Sequence, residues 1–161
     1  MYAKSQRQRS LKPRKFFIRT EQDKIVAAIE AAERRTSGEI RLYVEREVPW
    51  QDPSSGDATR RAQELFVNLG MHRTAERNGV LIYLATHSRR FAIVGDTELH
   101  RQVGKEFWDD IVTVMGRHFA EGAFLSGTTA AIAGIGEKLR TYFPHPPADL
   151  DELPNDISYE T

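Results

Sequence analysis

The sequence predicts a three-layer α/β/α sandwich around a small mixed central sheet of about four strands. Two helix–strand units come first along the chain, followed by an apolar hairpin and then by two apolar helices. The 161 residues suit one domain with a sizeable core. With 40% apolar and 29% charged residues, the composition is that of a globular protein and excludes wholesale disorder.

The first helix is expected to begin at Thr20, a favoured N-cap residue, with Glu21 and Asp23 in its first turn. Its apolar face repeats every three or four positions, at Ile25, Ala28, Ile29 and Ala32. Gly38 is expected to end this helix in the left-handed conformation. Residues 39–45 then alternate between apolar and polar side chains, which predicts a strand.

The second helix–strand unit follows a loop predicted over 50–56, where turn-forming residues cluster. Asp57 is the expected N-cap of the helix, and Gly70 is its expected end. The apolar stripe of this helix consists of Ala58, Ala62, Leu65, Phe66 and Leu69. Residues 80–85 are apolar on both faces, which predicts a strand in the middle of a covered sheet.

A short polar connection over 86–89 predicts an antiparallel hairpin between strand 80–85 and a strand over 91–94. The rest of the domain is predicted helical, in two helices separated near Gly122. The Gly134 and Gly136 pair lies inside the second of these helices and indicates close helix packing, not a dinucleotide fingerprint. A fourth strand is expected at a sheet edge, from 16–18 or from the segment around Val48; the pattern leaves both open.

Charge is distributed unevenly, although 23 basic and 23 acidic residues cancel overall. The sequence predicts a disordered basic arm over 1–15, a folded domain over 16–144 and an acidic, proline-containing tail over 145–161. No base-stacking aromatic pattern accompanies the basic arm, so no nucleic-acid partner is expected. The charged termini favour another protein as the partner.

The sequence argues against cysteine chemistry and against a membrane or secreted protein. The chain has no cysteine, which rules out disulfides, thiolate catalysis and zinc–thiolate sites. No apolar run approaches the roughly 20 residues of a membrane span, and the basic N-terminus lacks the apolar region of a secretory signal. A soluble, cytoplasmic protein is therefore expected.

The predicted strand order brings candidate ligands to one end of the sheet. If strands 39–45 and 80–85 are parallel, they begin at the same edge, and the hairpin returns its second strand to that edge. Glu39, Asn78 and Asp96 would then lie together, Glu98 lies just beyond, and Asp109 could approach from the next helix. Oxygen ligands without sulfur or convergent histidines suit a hard divalent cation, with calcium preferred and magnesium as the alternative.

Each of these residues also has a purely structural interpretation. Asn78 and Gly79 are common turn residues, and Asp96 could cap the helix that follows it. Glu39 could pair with a surface arginine. The spacing matches no established calcium loop, so the ligand set remains one of two interpretations.

Several segments together resemble the TPM domain family, in particular its stand-alone members, which are similar to thylakoid lumen phosphatases. The resemblance spans about residues 16–144. The matching segments are Thr36-Ser37-Gly38-Glu39-Ile40, Ala62-Gln63-Glu64-Leu65-Phe66, Leu69-Gly70-Met71, Thr74, Arg77-Asn78-Gly79-Val80-Leu81-Ile82-Tyr83-Leu84-Ala85, Phe91-Ala92-Ile93-Val94-Gly95-Asp96, Phe107-Trp108-Asp109 and Phe143-Pro144.

The resemblance implies an α/β/α sandwich with a four-stranded sheet and divalent ions, usually calcium, at a pair of crossing loops. In this chain those loops are 71–78 and 95–104, which carry Asn78 and Asp96. The resemblance also implies two functions. The first is a metal-stabilised binding or adaptor module. The alternative is a metal-assisted acid phosphatase, the activity described for some plant relatives. The sequence contains no convincing catalytic constellation for that activity.

Overall fold

The computed structural model describes residues 8–49, 57–144 and 157–160 of the chain. The described helices are α1 (Pro13–Phe16), α2 (Arg19–Glu33), α3 (Ala58–Asn68), α4 (Thr97–Val103), α5 (Lys105–Ala120) and α6 (Phe124–Tyr142), with a 3-10 turn over Met71–Arg73. The strands are β1 (Glu39–Glu45), β2 (Gly79–Ala85), β3 (Arg90–Gly95) and β4 (Ser158–Tyr159). They form one four-stranded mixed sheet in the order β3-β2-β1-β4.

Both predicted strand pairings are confirmed. β1 runs parallel to β2, with Glu39 opposite Gly79 at the start of the ladder. β2 and β3 form an antiparallel hairpin in which Val80 lies opposite Gly95. Consequently β1 and β2 begin, and β3 ends, at the same end of the sheet. We call this end the rim.

The fourth strand is not where the sequence predicted it. Ser158 and Tyr159 pair in parallel with Tyr43 and Val44 of β1, so both earlier candidates are wrong. Residues 16–18 instead include the end of α1, and the Val48 N–H donates to the Ser88 side chain at 3.0 Å. A two-residue strand carries no alternation of its own, which is why its position could not be found from pattern.

Two hydrophobic cores, one on each face of the sheet, establish the three layers. On one face, the even-numbered apolar residues of β1 and β2 pack under α2, α5 and α6. The strands contribute Ile40, Leu42, Val80 and Ile82 to this core, and the helices contribute Ile29, Met115, Ile132 and Leu139. On the other face, the odd-numbered residues Tyr43, Leu81 and Tyr83 pack under Ala62, Leu65 and Phe66 of α3. The predicted α/β/α sandwich is confirmed.

Two predicted helix ends are wrong, whereas Asp57 caps α3 as expected, accepting from Arg60 N. α2 begins at Arg19, one residue before Thr20, and the Ile18 N–H donates to the Glu21 carboxylate at 3.1 Å. α2 also ends at Glu33, so Gly38 does not terminate it. A side chain at Gly38 would lie 2.6 Å from Leu139 Cδ2, so this glycine permits close packing against α6.

Part of the predicted basic arm lies against the domain. Arg9 donates to both carboxylate oxygens of Glu21, at 2.6 and 2.9 Å, and to the carbonyl of Phe16 at 2.7 Å. Residues 1–7, the predicted loop 50–56, and 145–156 of the predicted tail lie outside the described residues. In the described ranges, no helix is both long enough and apolar enough to cross a membrane.

We expect Gly95→Ala to lower the free energy of unfolding by about 1–3 kcal/mol, because the added methyl would overlap the buried ring of Trp108. Gly116→Ala is the matched control, since its methyl would meet only Phe91, at an ordinary 3.5 Å. That variant should be unchanged or more stable by roughly 0.5–1 kcal/mol, because glycine weakens a helix interior. Urea unfolding measures both, and equal stability of Gly95→Ala and wild type would contradict the packing argument.

Candidate functional site at the rim of the sheet

Three of the five candidate ligands lie at the rim. Glu39 opens β1, Asn78 immediately precedes β2, and Asp96 immediately follows β3. The Asp96 N–H donates to the carbonyl of Gly79 at 2.9 Å, which ties the end of β3 to the start of β2. All three side chains are buried; Asn78, for example, is 1% exposed. The strand order therefore places them together, as the parallel pairing of β1 and β2 predicted.

A short chain of hydrogen bonds orients the amide of Asn78. The hydroxyl of Ser37 donates to the Glu76 carboxylate at 3.1 Å and accepts from Asn78 Nδ2 at 3.1 Å. An ionised carboxylate can only accept hydrogen bonds, so the Ser37 hydroxyl directs its hydrogen toward Glu76. Asn78 must then present its NH₂ group to the Ser37 oxygen. Asn78 Oδ1 is consequently directed elsewhere; it is buried and accepts no hydrogen bond from the described residues.

Asp96 has a structural role at the same place. Its Oδ1 accepts from the Thr97 N–H at 2.7 Å, which makes it the N-cap of α4, one of the structural interpretations of this residue. The Arg77 guanidinium donates to both carboxylate oxygens, at 3.1 and 3.3 Å. Arg77 itself has a left-handed backbone, with φ of 53°. The turn before β2 therefore holds the positively charged guanidinium of Arg77 beside the buried Asp96.

Glu98 and Asp109 have partners on their own helices. Glu98 accepts from Arg101 and from Gln102, and these hydrogen bonds, that of Arg101 above all, lower its pKa to about 2. Asp109 pairs with Lys105 at 3.0 Å on the exposed side of α5. No hydrogen bond or ion pair joins either residue to Asn78 or Asp96 in the described part of the chain.

The three candidate ligands at the rim, Glu39, Asn78 and Asp96, offer carboxylate and amide oxygens. Oxygen is the ligand atom that a hard cation prefers. The rim does not form a complete cage by itself. Within the described ranges, no group of three or more acidic or histidine side chains lies close enough to surround a metal ion. A cation at the rim would have to combine the amide oxygen of Asn78 with the nearby carboxylates and with water or oxygen atoms from another molecule.

A second buried polar cluster lies at the opposite end of the sheet, under α3. Glu45, the last residue of β1, accepts from Arg61 Nε and Nη2 at 3.0 and 2.7 Å. It also accepts from the hydroxyl of Tyr83 at 2.6 Å. Burial, the hydrogen bond to Glu45 and the charge of Glu45 raise the pKa of Tyr83, and the Glu45 hydrogen bond raises the pKa of Arg61.

Sequence reasoning did not identify Ser37, Arg77 or the Glu45–Arg61–Tyr83 cluster. Glu45 did carry a detectable signal, because it lies on the same face of β1 as Tyr43, the face that α3 covers. A carboxylate on a covered face requires a buried cation, and α3 offers Arg61. The sequence contains no such signal for Ser37 and Arg77, because their hydrogen-bond partners depend on how two loops meet.

The fold and the rim define a class of protein, an α/β/α sandwich with a four-stranded mixed sheet and a polar rim built by two loops. The chain belongs to the TPM domain family, whose family model matches residues 12–138. The resemblance drawn from the sequence motifs is thereby confirmed. No curated protein matches the chain significantly.

Solved structures that are similar to the chain include a bacterial protein and a single N-terminal domain. The BA42 protein from the psychrophilic bacterium Bizionia argentinensis shares 39% identity with a TM-score of 0.79, and the match covers 90% of this chain and 96% of that one. The N-terminal domain of the cg2496 protein from Corynebacterium glutamicum shares 14% identity with a TM-score of 0.51, over 83% of this chain and 77% of that one. The second likeness shows the fold alone.

At Asp96 we expect alanine and asparagine to differ. Asp96→Ala removes the cap of α4 and should lower the free energy of unfolding by about 1–2 kcal/mol. Asp96→Asn keeps a capping oxygen and loses mainly the ion pair with Arg77, whose side chain is 48% exposed, so its cost should stay below about 1 kcal/mol. Urea unfolding at neutral pH separates the two variants. Equal losses would show that charge, not capping, dominates at this position.

Tyr83 should make the fold sensitive to alkaline pH. Folding raises the pKa of Tyr83, so the neutral side chain contributes its full stabilisation below about pH 10, the unfolded pKa. This contribution is lost as the pH rises toward the folded pKa. Tyr83→Phe should lower the free energy of unfolding by about 1–2 kcal/mol at pH 7, because Glu45 loses a hydrogen-bond donor, and the stability of the variant should decline less steeply above pH 10 than that of wild type. Urea unfolding between neutral and alkaline pH tests this, and parallel pH profiles would contradict it.

Proposed function

We propose that this TPM domain is a binding module for another protein and that its rim holds a divalent cation, calcium in preference to magnesium. Asn78, Asp96 and Glu39 are the proposed ligands. The supporting observation is the buried Oδ1 of Asn78. Because Asn78 Nδ2 donates to Ser37, Oδ1 is directed away from the Ser37–Glu76 pair, and it accepts no hydrogen bond from the described residues.

A buried acceptor without a partner costs about 1–3 kcal/mol, so a fold that keeps one in place favours a ligand that satisfies it. The residue types at the rim agree with a cation. Glu39 and Asp96 bring two carboxylates to the same end of the sheet. Carboxylate and amide oxygens are the ligands that a hard cation prefers.

An incomplete cage suits a binding role. Calcium takes 6–8 oxygen ligands, more than the three side chains proposed here provide. Some coordination positions would be left for water or for carboxylate oxygens of a partner protein, so the cation would supply a direct attachment point for acidic groups. Asn78 and Glu39 would hold the attachment point rigidly, because both are buried at strand ends.

Phosphomonoester hydrolysis is the alternative function. Ser37 brings a hydroxyl to the rim, but it is 7% exposed and held between Glu76 and Asn78. Among the described residues, neither hydrogen-bond partner of this hydroxyl is a histidine that could act as a general base. The geometry therefore favours binding over hydrolysis. The cytoplasmic location stays a prediction.

The expected result is a calcium-dependent rise in melting temperature. At free calcium 100-fold above Kd, binding adds about 2.7 kcal/mol, which corresponds to a rise of roughly 5–10 °C for a chain of this size. Magnesium should give a smaller rise, because it retains its waters more strongly. Asn78→Ala should abolish the calcium-induced shift; comparing each variant with and without chelator removes any difference in basal stability.

Glu98→Gln and Asp109→Asn are the matched controls, because each removes one carboxylate outside the proposed ligand set and should leave the shift intact. Identical melting curves in chelator and in millimolar calcium would refute the cation site. Turnover of p-nitrophenyl phosphate that requires the cation and disappears in Asp96→Asn would replace the binding module with the hydrolase.

A further inference from the structure

A cavity of about 610 Å³ lies at the end of the sheet opposite the rim. It opens to solvent and is lined by the β2–β3 hairpin, the end of α5, the start of α6 and the N-terminal segment over 8–16. The Thr86 hydroxyl donates to the Leu11 carbonyl and so holds that segment across the hairpin. The volume falls in the range of small-molecule sites, about 300–1,000 Å³. Nothing in the proposed function of the rim uses this cavity.

Aromatic rings form a rigid wall in the cavity. Phe91 meets Phe119 edge-to-face at 5.2 Å, Phe119 meets Phe124 at 5.1 Å, and Phe124 meets Phe16 at 5.0 Å. Each ring is thus held by its neighbour in a favoured geometry. The wall therefore cannot simply collapse into the space, and an apolar occupant would find its surface already arranged.

Gly116 keeps the cavity open on the α5 side. Glycine in the middle of a helix costs roughly 0.5–1 kcal/mol relative to alanine. A side chain at Gly116 would project toward Phe91, whose Cζ lies 3.5 Å from the position of an added Cβ. A methyl fits there, but a larger side chain would occupy the space in front of the ring.

The charge at the mouth of the cavity is positive. The described residues that line it include Arg9, Arg89 and Arg90 and no acidic residue. Arg9 is neutralised by Glu21 and lies over the rings of Phe16 and Phe124, at 5.3 and 5.4 Å. Arg90 opens β3 opposite Ala85, on the sheet face that α3 covers, so its side chain lies on the other face from Phe91. Arg89, on the turn, is exposed, and within the described part of the chain it has no ion pair or side-chain hydrogen bond.

We infer that this cavity binds a single-headed amphipathic carboxylate of the fatty-acid class. Its alkyl tail lies against Phe91, Phe119 and Phe124, and its carboxylate accepts hydrogen bonds from Arg89 on the hairpin turn. Charge complementarity selects this occupant, because an apolar wall alone would accept any hydrocarbon whereas a free guanidinium group favours an anionic head. A guanidinium fork matches the two oxygens of a carboxylate.

Isothermal titration of the full chain with octanoate, decanoate and decanol tests the inference. Decanoate should bind about 15-fold more tightly than octanoate, since each buried methylene contributes about 4-fold. Decanol, which has the same tail without the charge, should bind at least about 10-fold more weakly than decanoate. Equal affinity for decanol and decanoate, or no dependence on chain length, would overturn the proposal.

Two variants separate the head group from the tail. Arg89→Asn should reduce decanoate binding to the level of decanol; asparagine is chosen because Arg89 has a left-handed φ of 56°. Arg117→Ser is the matched control, because Arg117 lies next to Gly116 on α5 but does not line the cavity, and it should leave affinity unchanged.

Gly116→Leu should abolish binding of both decanoate and decanol while the rim keeps its response to calcium. Thermal melting checks that the variant folds. If it does not fold, Arg89→Asn on the exposed hairpin turn tests the site without disturbing the core. Retained decanoate affinity in Arg89→Asn, or in folded Gly116→Leu, would refute this location.

Discussion

The parallel pairing of β1 with β2 is the constraint on which the rest of the structure depends. Seven residue pairs, from Glu39 opposite Gly79 to Glu45 opposite Ala85, hold the two strands in register. A shift of one residue would exchange the two faces of a strand and place charged side chains in the larger core. The register therefore decides which residues reach the rim, which reach α3, and how the hairpin returns β3.

Each end of this ladder carries buried polar side chains, and the two ends satisfy them differently. At the carboxyl end, Glu45 is fully satisfied by Arg61 and Tyr83, an arrangement that attaches α3 to the sheet. At the rim, Asn78 keeps an acceptor that the described residues leave unsatisfied. Complete satisfaction at one end and an open acceptor at the other agree with a structural role for the first and a ligand-binding role for the second.

The proposed cation site and the proposed carboxylate cavity lie at opposite ends of β2. Gly79 is at the rim, and Leu84 lines the cavity. Because β2 is buried along its whole length, it separates two surfaces that differ in chemistry, one polar and acidic, the other apolar with the free guanidinium of Arg89. The two proposals rest on different residues, so either can fail without the other.

Sequence alone determined the sandwich, both strand pairings and the gathering of Glu39, Asn78 and Asp96, because hydrophobic periodicity and chain direction are local properties. It did not determine the two-residue β4, the start of α2, the partners of Ser37 and Arg77, or the aromatic cavity. Those features depend on contacts between segments far apart in the chain, such as Ser158 with Tyr43. Only tertiary packing decides such contacts, since no local pattern of side chains encodes which distant surface will cover them.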